Sequence, residues 1–214
     1  MRRFRAITIA MLGAMLTCTA GCMDAVGWWA EMFTPASTDP ALYPVPKNKT
    51  ILVFPDDYYS RLKSDATRGT FANELNKFLM ENNVAASTIP FNKLQEVENT
   101  PGFEKLSVDQ VGRQVGADLV MYVLFDRMSL KDDNQSDLWH GHLALRVRVV
   151  DAKTGACLWP TDRRDGWPIE AVDIAPTSTA ADYGLVLEQE LVVEAAKRVT
   201  YLFCEHPSPE RLTK

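Results

Sequence analysis

Ser107-Val108-Asp109-Gln110-Val111-Gly112-Arg113-Gln114-Val115-Gly116-Ala117-Asp118-Leu119-Val120-Met121-Tyr122 reads as a helix that stops on a glycine and runs straight into a strand. Ser107 followed by Gln110 is a capping box, in which each side chain answers the other residue's backbone N–H. Val108, Val111 and Val115 make one apolar stripe, and Gly116 supplies the left-handed residue on which helices commonly end. The run from Leu119 to Met128 then predicts a strong strand.

Working outward, Asp132, Asp133, Asn134, Gln135 and Ser136 are expected to form a polar loop ahead of a second strand, about 139–151. Asp151-Ala152-Lys153-Thr154-Gly155 turns that strand into Ala156–Trp159, a β-hairpin pattern. Upstream, Ile51-Leu52-Val53-Phe54 is a short buried strand closed by Pro55. Phe71, Leu75, Phe78 and Leu79 fall at helical spacing and predict a helix over about 69–82. Val84 to Ile89 predicts another strand. Pro90 suits the first turn of a helix carrying Leu94 and Val97, which Pro101-Gly102 stops.

At the far end, Thr179-Ala180-Ala181-Asp182 is the expected cap of a helix that His206-Pro207 ends. Val192, Ala196, Val199 and Phe203 form its buried stripe, joined by Val193, Ala195 and Leu202, and Glu194 precedes Arg198 by four residues, the favourable order for an ion pair. The stretch from Pro160 to Pro176 is assigned no element. The order is therefore β-α-β-α-α-β-β-β-α, without an internal repeat. It implies an α/β (α+β) fold, a two-layer mixed β-sheet with helices packed mainly on one face. On the 139–151 strand Leu143, Leu145, Val147 and Val149 point one way, and His140, His142, Arg146 and Arg148 the other. The second face is then either plainly solvated or meets a partner.

The chain has 214 residues, 46% hydrophobic and 24% charged. These proportions exclude a disordered chain, a collagen-like fibre, a coiled coil and a polytopic membrane protein. The net charge of −5 argues against nucleic acid as a partner.

Residues 1–22 read MRRFRAITIAMLGAMLTCTAGC, with Arg2, Arg3 and Arg5 ahead of an apolar run of 11 residues, Ala6 to Leu16. A membrane-spanning helix needs about 20, so the run fits the core of a secretory signal followed by small residues. Thr19-Ala20-Gly21-Cys22 resembles the lipobox of bacterial lipoproteins, with Thr19 where that motif prefers Leu. The resemblance implies cleavage between Gly21 and Cys22 and a covalent lipid on the Cys22 sulfur, with no other cofactor. Removing residues 1–21 takes three arginines and no acid, which moves the net charge to −8. Residues 22–48, with Pro35, Pro40, Pro44 and Pro46, read as an extended tether. Trp28 and Trp29 either rest at the lipid interface or pack onto the domain. The domain proper is expected over 49–206, and 207–214 as a disordered tail.

Three stretches together carry a further resemblance: Thr50-Ile51-Leu52-Val53-Phe54-Pro55, the Val111–Tyr122 step, and Leu145 to Gly155 followed by Leu158-Trp159. They resemble a family of envelope lipoprotein domains that includes the TolB N-terminal domain, the lipoprotein activators of penicillin-binding proteins, and the curli-secretion lipoprotein CsgG. The resemblance implies a non-catalytic binding or assembly module of the cell envelope, anchored in the bilayer by its lipid and working on another envelope protein or polymer. Homo-oligomers are a possible state. Met23 after Cys22 leans the expected location to the periplasmic side of the outer membrane.

The sequence holds no G-x-S-x-G, H-E-x-x-H, P-loop or G-x-G-x-x-G. Its three histidines are His140, His142 and His206, and a His140/His142 pair without an assured third ligand is a poor zinc site, so no metal is assigned. Asp56-Asp57 follow the first strand, where α/β sheets often place ligands. With His140 and His142 they define the alternative, a small envelope hydrolase or metal-dependent enzyme; the plainer reading is a turn or helix cap. Cys157 and Cys204 are either a disulfide or two separate thiols. The His140/His142/Arg146/Arg148 stripe is the candidate partner-binding surface, with Arg163 and Arg164 as its candidate extension.

Overall fold

The computed structural model describes residues 38–62, 64–131, 139–174 and 183–208. The signal segment, Cys22, the Trp28-Trp29 pair, the 132–136 loop, the Thr179–Asp182 cap and the end of the tail lie outside these. Pro40–His206 form one compact unit. Thr38–Asp39 (β1) and His206–Pro207 (β8) are two-residue strands that pair with each other.

The core element is β2, Thr50–Asp56. Its Ile51, Leu52, Val53 and Phe54 are all buried, as expected of a strand covered on both faces. The strand runs through Pro55 rather than ending there. β3 (Ser87–Ile89) pairs only with Thr50–Leu52, so Pro55 meets an open side that needs no N–H donor. On its other side β2 runs parallel to β4, Leu119–Lys131. β5, Trp139–Asp151, lies antiparallel to β4. The outer side of β5 is shared by β6, Cys157–Trp159, at Val149–Val150 and by β7, Trp167–Ile174, along Gly141–Val147. β7 is the one strand of this six-stranded sheet that the sequence reading lacks; that reading also lacks the separate β1–β8 pair.

Helix α1, Asp65–Glu81, buries Phe71, Leu75 and Leu79 and begins four residues before the expected start, behind Ser64. Val84 and Ala85, expected in a strand, instead donate their N–H groups to Leu79 O at 2.8 and 3.3 Å and close the helix. Helices α2 (Phe91–Glu98) and α3 (Val108–Gln114) follow, joined by a 3-10 turn at Phe103–Lys105. The capping box forms, with the Ser107 N–H donating to Gln110 Oε1 at 2.8 Å. α3 ends on Gly116 at φ +76°, whose N–H reaches Arg113 O while the Ala117 N–H reaches Gly112 O. That pair of bonds is a Schellman motif.

Helix α4, Tyr183–Tyr201, lies on the same face as α1. Phe71 meets Phe125 edge-to-face at 5.1 Å. The α4 leucines Leu187 and Leu191 crowd Gly141, and the Thr67 hydroxyl donates to buried Glu188 at 2.8 Å. Among the described residues the short α3 and the 3-10 turn lie on the other face, near Val120 and Phe54. The fold is the expected two-layer mixed sheet with one strand more. Residues 40–48, read as tether, belong to the compact unit. Tyr43 stacks on Trp159 at 6.1 Å, Val45 is buried, and the Leu42 and Tyr43 N–H groups donate to Leu202 O. Among the described residues no helix is long and apolar enough to cross a membrane.

Candidate functional site

A cleft of about 660 Å³ opens where β2 ends, beside Tyr122 in the first half of β4, on the face that α3 only partly covers. β3 lies on one side of β2 and β4 on the other, so this is a switch point of the parallel strands, the place where open α/β sheets bind ligands. Phe54 and Tyr122 form the floor, edge-to-face at 5.5 Å. They face the same way because Phe54 sits opposite Tyr122 in the parallel ladder. Phe103, Leu106 and Val108 make one wall, and Asp65, Arg68 and Glu98 the other.

The charged groups of the cleft are held by specific contacts. The Tyr122 hydroxyl donates to Asp56. Burial, reinforced by that carboxylate, pushes the Tyr122 phenol far above its ordinary range, while Arg148, 4.7 Å over the ring, works against the shift. Asp57 accepts the Arg61 N–H at 2.6 Å and the Leu62 N–H at 3.0 Å, and so holds the β2–α1 turn. Arg68 bonds Glu98, Asp65 at 3.1 Å and Pro55 O at 3.1 Å. Burial lowers the Arg68 pKa, but the two carboxylates outweigh it and raise the value overall. Glu104 stands exposed on the 3-10 turn. Asp56 and Asp57 therefore line the cleft, each already engaged by its own fold.

The stripe on β5 alternates as read: Leu143, Leu145, Val147 and Val149 are buried, and His140, His142, Arg146 and Arg148 half-buried. Its cations are largely committed within the sheet. Arg146 makes a two-point contact with Asp126 at 2.6 and 2.7 Å, which raises its pKa further. Asp126 is the extra residue of a β-bulge between Phe125 and Arg127, a feature that sequence reasoning missed. Arg148 covers Tyr122, and Arg163 lies 4.7 Å over Trp167. His142 Nδ1 is enclosed and meets no hydrogen-bond partner among the described residues.

The imidazoles and the acid pair are not brought together. Asp56 lies opposite Leu124 and His142 opposite Ser129, five residues further along β4, roughly 16 Å at strand spacing. Among the described residues no three His, Cys, Asp or Glu side chains are grouped to hold a metal ion. Cys157 and Cys204 are free thiols, the first exposed and the second half-buried, so the candidate disulfide is not formed. Arg68 and Tyr122, central to the cleft, carried no sequence motif.

No family model and no curated relative matches the chain. Among solved structures it is similar to the PelC dodecamer of Paraburkholderia phytofirmans, with 11% identity over 80% of this chain and 98% of that one, TM-score 0.41. It is also similar to lipoprotein GNA1162 of Neisseria meningitidis, with 18% identity over 71% and 97% of the two chains, TM-score 0.41. An uncharacterized lipoprotein B of Nitrosomonas europaea shares 10% identity over 75% and 84%, TM-score 0.38. Two of these three proteins are named as lipoproteins, and likenesses at such identities concern the course of the chain alone.

Proposed function

We propose that this chain is a lipid-anchored module of the bacterial cell envelope, held by acyl chains on Cys22, that presents its α/β domain to another envelope component and performs no chemistry itself. The observation that carries the reading is the N-terminal sequence: three arginines, an apolar run of 11 residues and Thr19-Ala20-Gly21-Cys22, ahead of a domain whose compact unit begins at Pro40. A chain of net charge −8 does not adhere to anionic lipid unaided, so acyl chains must do the holding. One chain anchors marginally, and two or three on one cysteine hold stably. Residues 23–37, ahead of β1, allow the domain a reach of up to about 50 Å when fully extended. Met23 in place of Asp after the lipidated cysteine favours the outer membrane, and the resemblance to the TolB N-terminal and CsgG-like domains favours a protein or polymer partner. The enzymatic alternative is disfavoured by the separation of Asp56 from His142 and by the bonds that already occupy Asp56 and Asp57.

The test is the intact mass of protein extracted from membranes without reduction. The expected species starts at Cys22 and is heavier by at least a diacylglyceryl group, and Cys22→Ser moves the protein out of the membrane fraction. A species with another N-terminus and no lipid overturns the anchor.

A further inference from the structure

The cleft at the end of β2 is more than an acidic rim. Its lining offers five carboxylates, Asp56, Asp57, Asp65, Glu98 and Glu104, against one guanidinium. That guanidinium, on Arg68, is committed to Asp65 and Glu98. The Asp56 carboxylate is met by a neutral phenol, and Glu104 stands on the exposed turn. Beneath these charges lie the rings of Phe54 and Phe103, 6.4 Å apart. An apolar floor under five carboxylates with a single guanidinium among them suits a cation carried on an apolar stem.

A second observation lies at the mouth. Tyr58 is 78% exposed and Tyr59 45% exposed, with their rings edge-to-face at 5.2 Å. Tyr58 stands in water and Tyr59 carries the Arg61 guanidinium 5.4 Å over its ring, beside a cleft of about 660 Å³, and such rings are the residue type that dominates protein–protein contacts. A free amine inside the cleft would leave Tyr59, which is not part of its lining, untouched. A peptide segment crossing the mouth would cover both rings. Arg148 already lies over the Tyr122 ring, so an incoming cation meets carboxylates rather than that face.

We propose that the cleft receives a lysine or arginine side chain from a basic segment of a partner protein. Its charge sits between Asp56 and Glu104, its methylene stem lies against Phe54 and Phe103, and Tyr58 and Tyr59 flank the segment's backbone. The inference rests on the reading of the chain as a binding module and names the chemistry of its partner. An acidic cleft on an acidic protein also steers such a segment in at low ionic strength.

The test uses the full-length protein in non-ionic detergent and a fluorescent hexapeptide, Gly-Leu-Arg-Leu-Arg-Gly with blocked ends. The same peptide with Glu in place of Arg serves as one control, and agmatine as the free-amine competitor. The arginine peptide is expected to bind saturably by fluorescence anisotropy, and the glutamate peptide not to bind. Glu104→Gln, on an exposed turn where folding is not at risk, should weaken binding about fivefold at low salt, and Asp56→Asn similarly. Tyr58→Ala should weaken it about tenfold. No binding of the arginine peptide, or binding indifferent to Glu104→Gln and Tyr58→Ala, overturns the proposal. Agmatine binding as tightly as the peptide also overturns it, since the cleft would then be a small-amine site. Failure here with a lipidated Cys22 leaves the anchor standing, and peptide binding by an unlipidated chain does the reverse.

Discussion

Thr50 and Asp118 hold each other by reciprocal hydrogen bonds. The Thr50 N–H donates to Asp118 Oδ2 at 2.9 Å, and the Asp118 N–H donates to the Thr50 carbonyl at 2.9 Å. The Asp118 carbonyl also accepts the Ala152 N–H at 2.9 Å. One residue thus ties the starts of β2 and β4 to the turn after β5, which explains why Gly-Ala-Asp precedes the strand. Asp118→Ala should lower unfolding stability by about 1 kcal/mol, and Asp118→Asn, which keeps an accepting oxygen, by less. Urea unfolding of both variants checks this, and equal losses would show that the carboxylate does not act through Thr50.

Gly112 and Gly116 are needed for different reasons. A Cβ on Gly112 would press into the Val120 side chain and stand 2.9 Å from Ala152 Cβ, so no side chain fits between α3 and the sheet. Gly116 has open space around it but a φ of +76°. Gly112→Ala should cost about 1–3 kcal/mol through overpacking, and Gly116→Ala about 1–2 through backbone strain. Gly116→Asn should recover part of the loss, since Asn tolerates the left-handed region, whereas Gly112→Asn should be worse than Gly112→Ala. Thermal unfolding of the four variants separates the two causes.

The parts of the fold that the sequence shows are those set by local rules. The 139–151 strand alternates because one face is buried, and Ser107, Gln110 and Gly116 mark both ends of α3. β7 is hidden because Pro168, Glu170 and Asp173 break the apolar run of Trp167–Ile174, and its pairing comes from the open side of β5. The cleft is less legible still. Tyr122 reaches Asp56 through strand register, and Arg68 reaches Glu98 across 30 residues of chain. The β-bulge that sets Asp126 against Arg146 leaves no trace in periodicity, so a stripe read as free cations proves to be partly neutralised. Tyr43 looks like tether among prolines until Trp159 is placed beside it.

The two cysteines of the domain differ in access. The exposed Cys157 thiol lies near the Trp159 and Pro160 carbonyls at 3.5 and 3.6 Å. Cys204 is half-buried, donates to Thr200 O at 3.4 Å, and burial pushes its thiol up. With Cys18 and Cys22 replaced by Ser, iodoacetamide should modify Cys157 first and Cys204 about tenfold more slowly. Peptide mass mapping over time reads both rates. Equal rates, or no modification before reduction, would contradict the placement of these thiols.

Tyr122 gives the protein an alkaline limit. Burial first, and then the Asp56 carboxylate, hold its proton well above the ordinary tyrosine value of 10.0, and burial raises Tyr43 as well. Unfolded, both phenols ionise near 10; folded, they keep their protons. The unfolded state therefore binds fewer protons than the native state once the pH passes about 10, and unfolding stability must fall as the pH rises further. Below that pH the contribution is fully present. Tyr122→Phe should lose about 1 kcal/mol at neutral pH, through the missing bond to Asp56, yet show a shallower decline above pH 10 than the parent. Urea unfolding across that range measures the slopes, and near-ultraviolet absorbance should show Tyr122 ionising last, together with unfolding. A parent and a Tyr122→Phe variant with the same alkaline slope would mean that the phenol is not buried against Asp56.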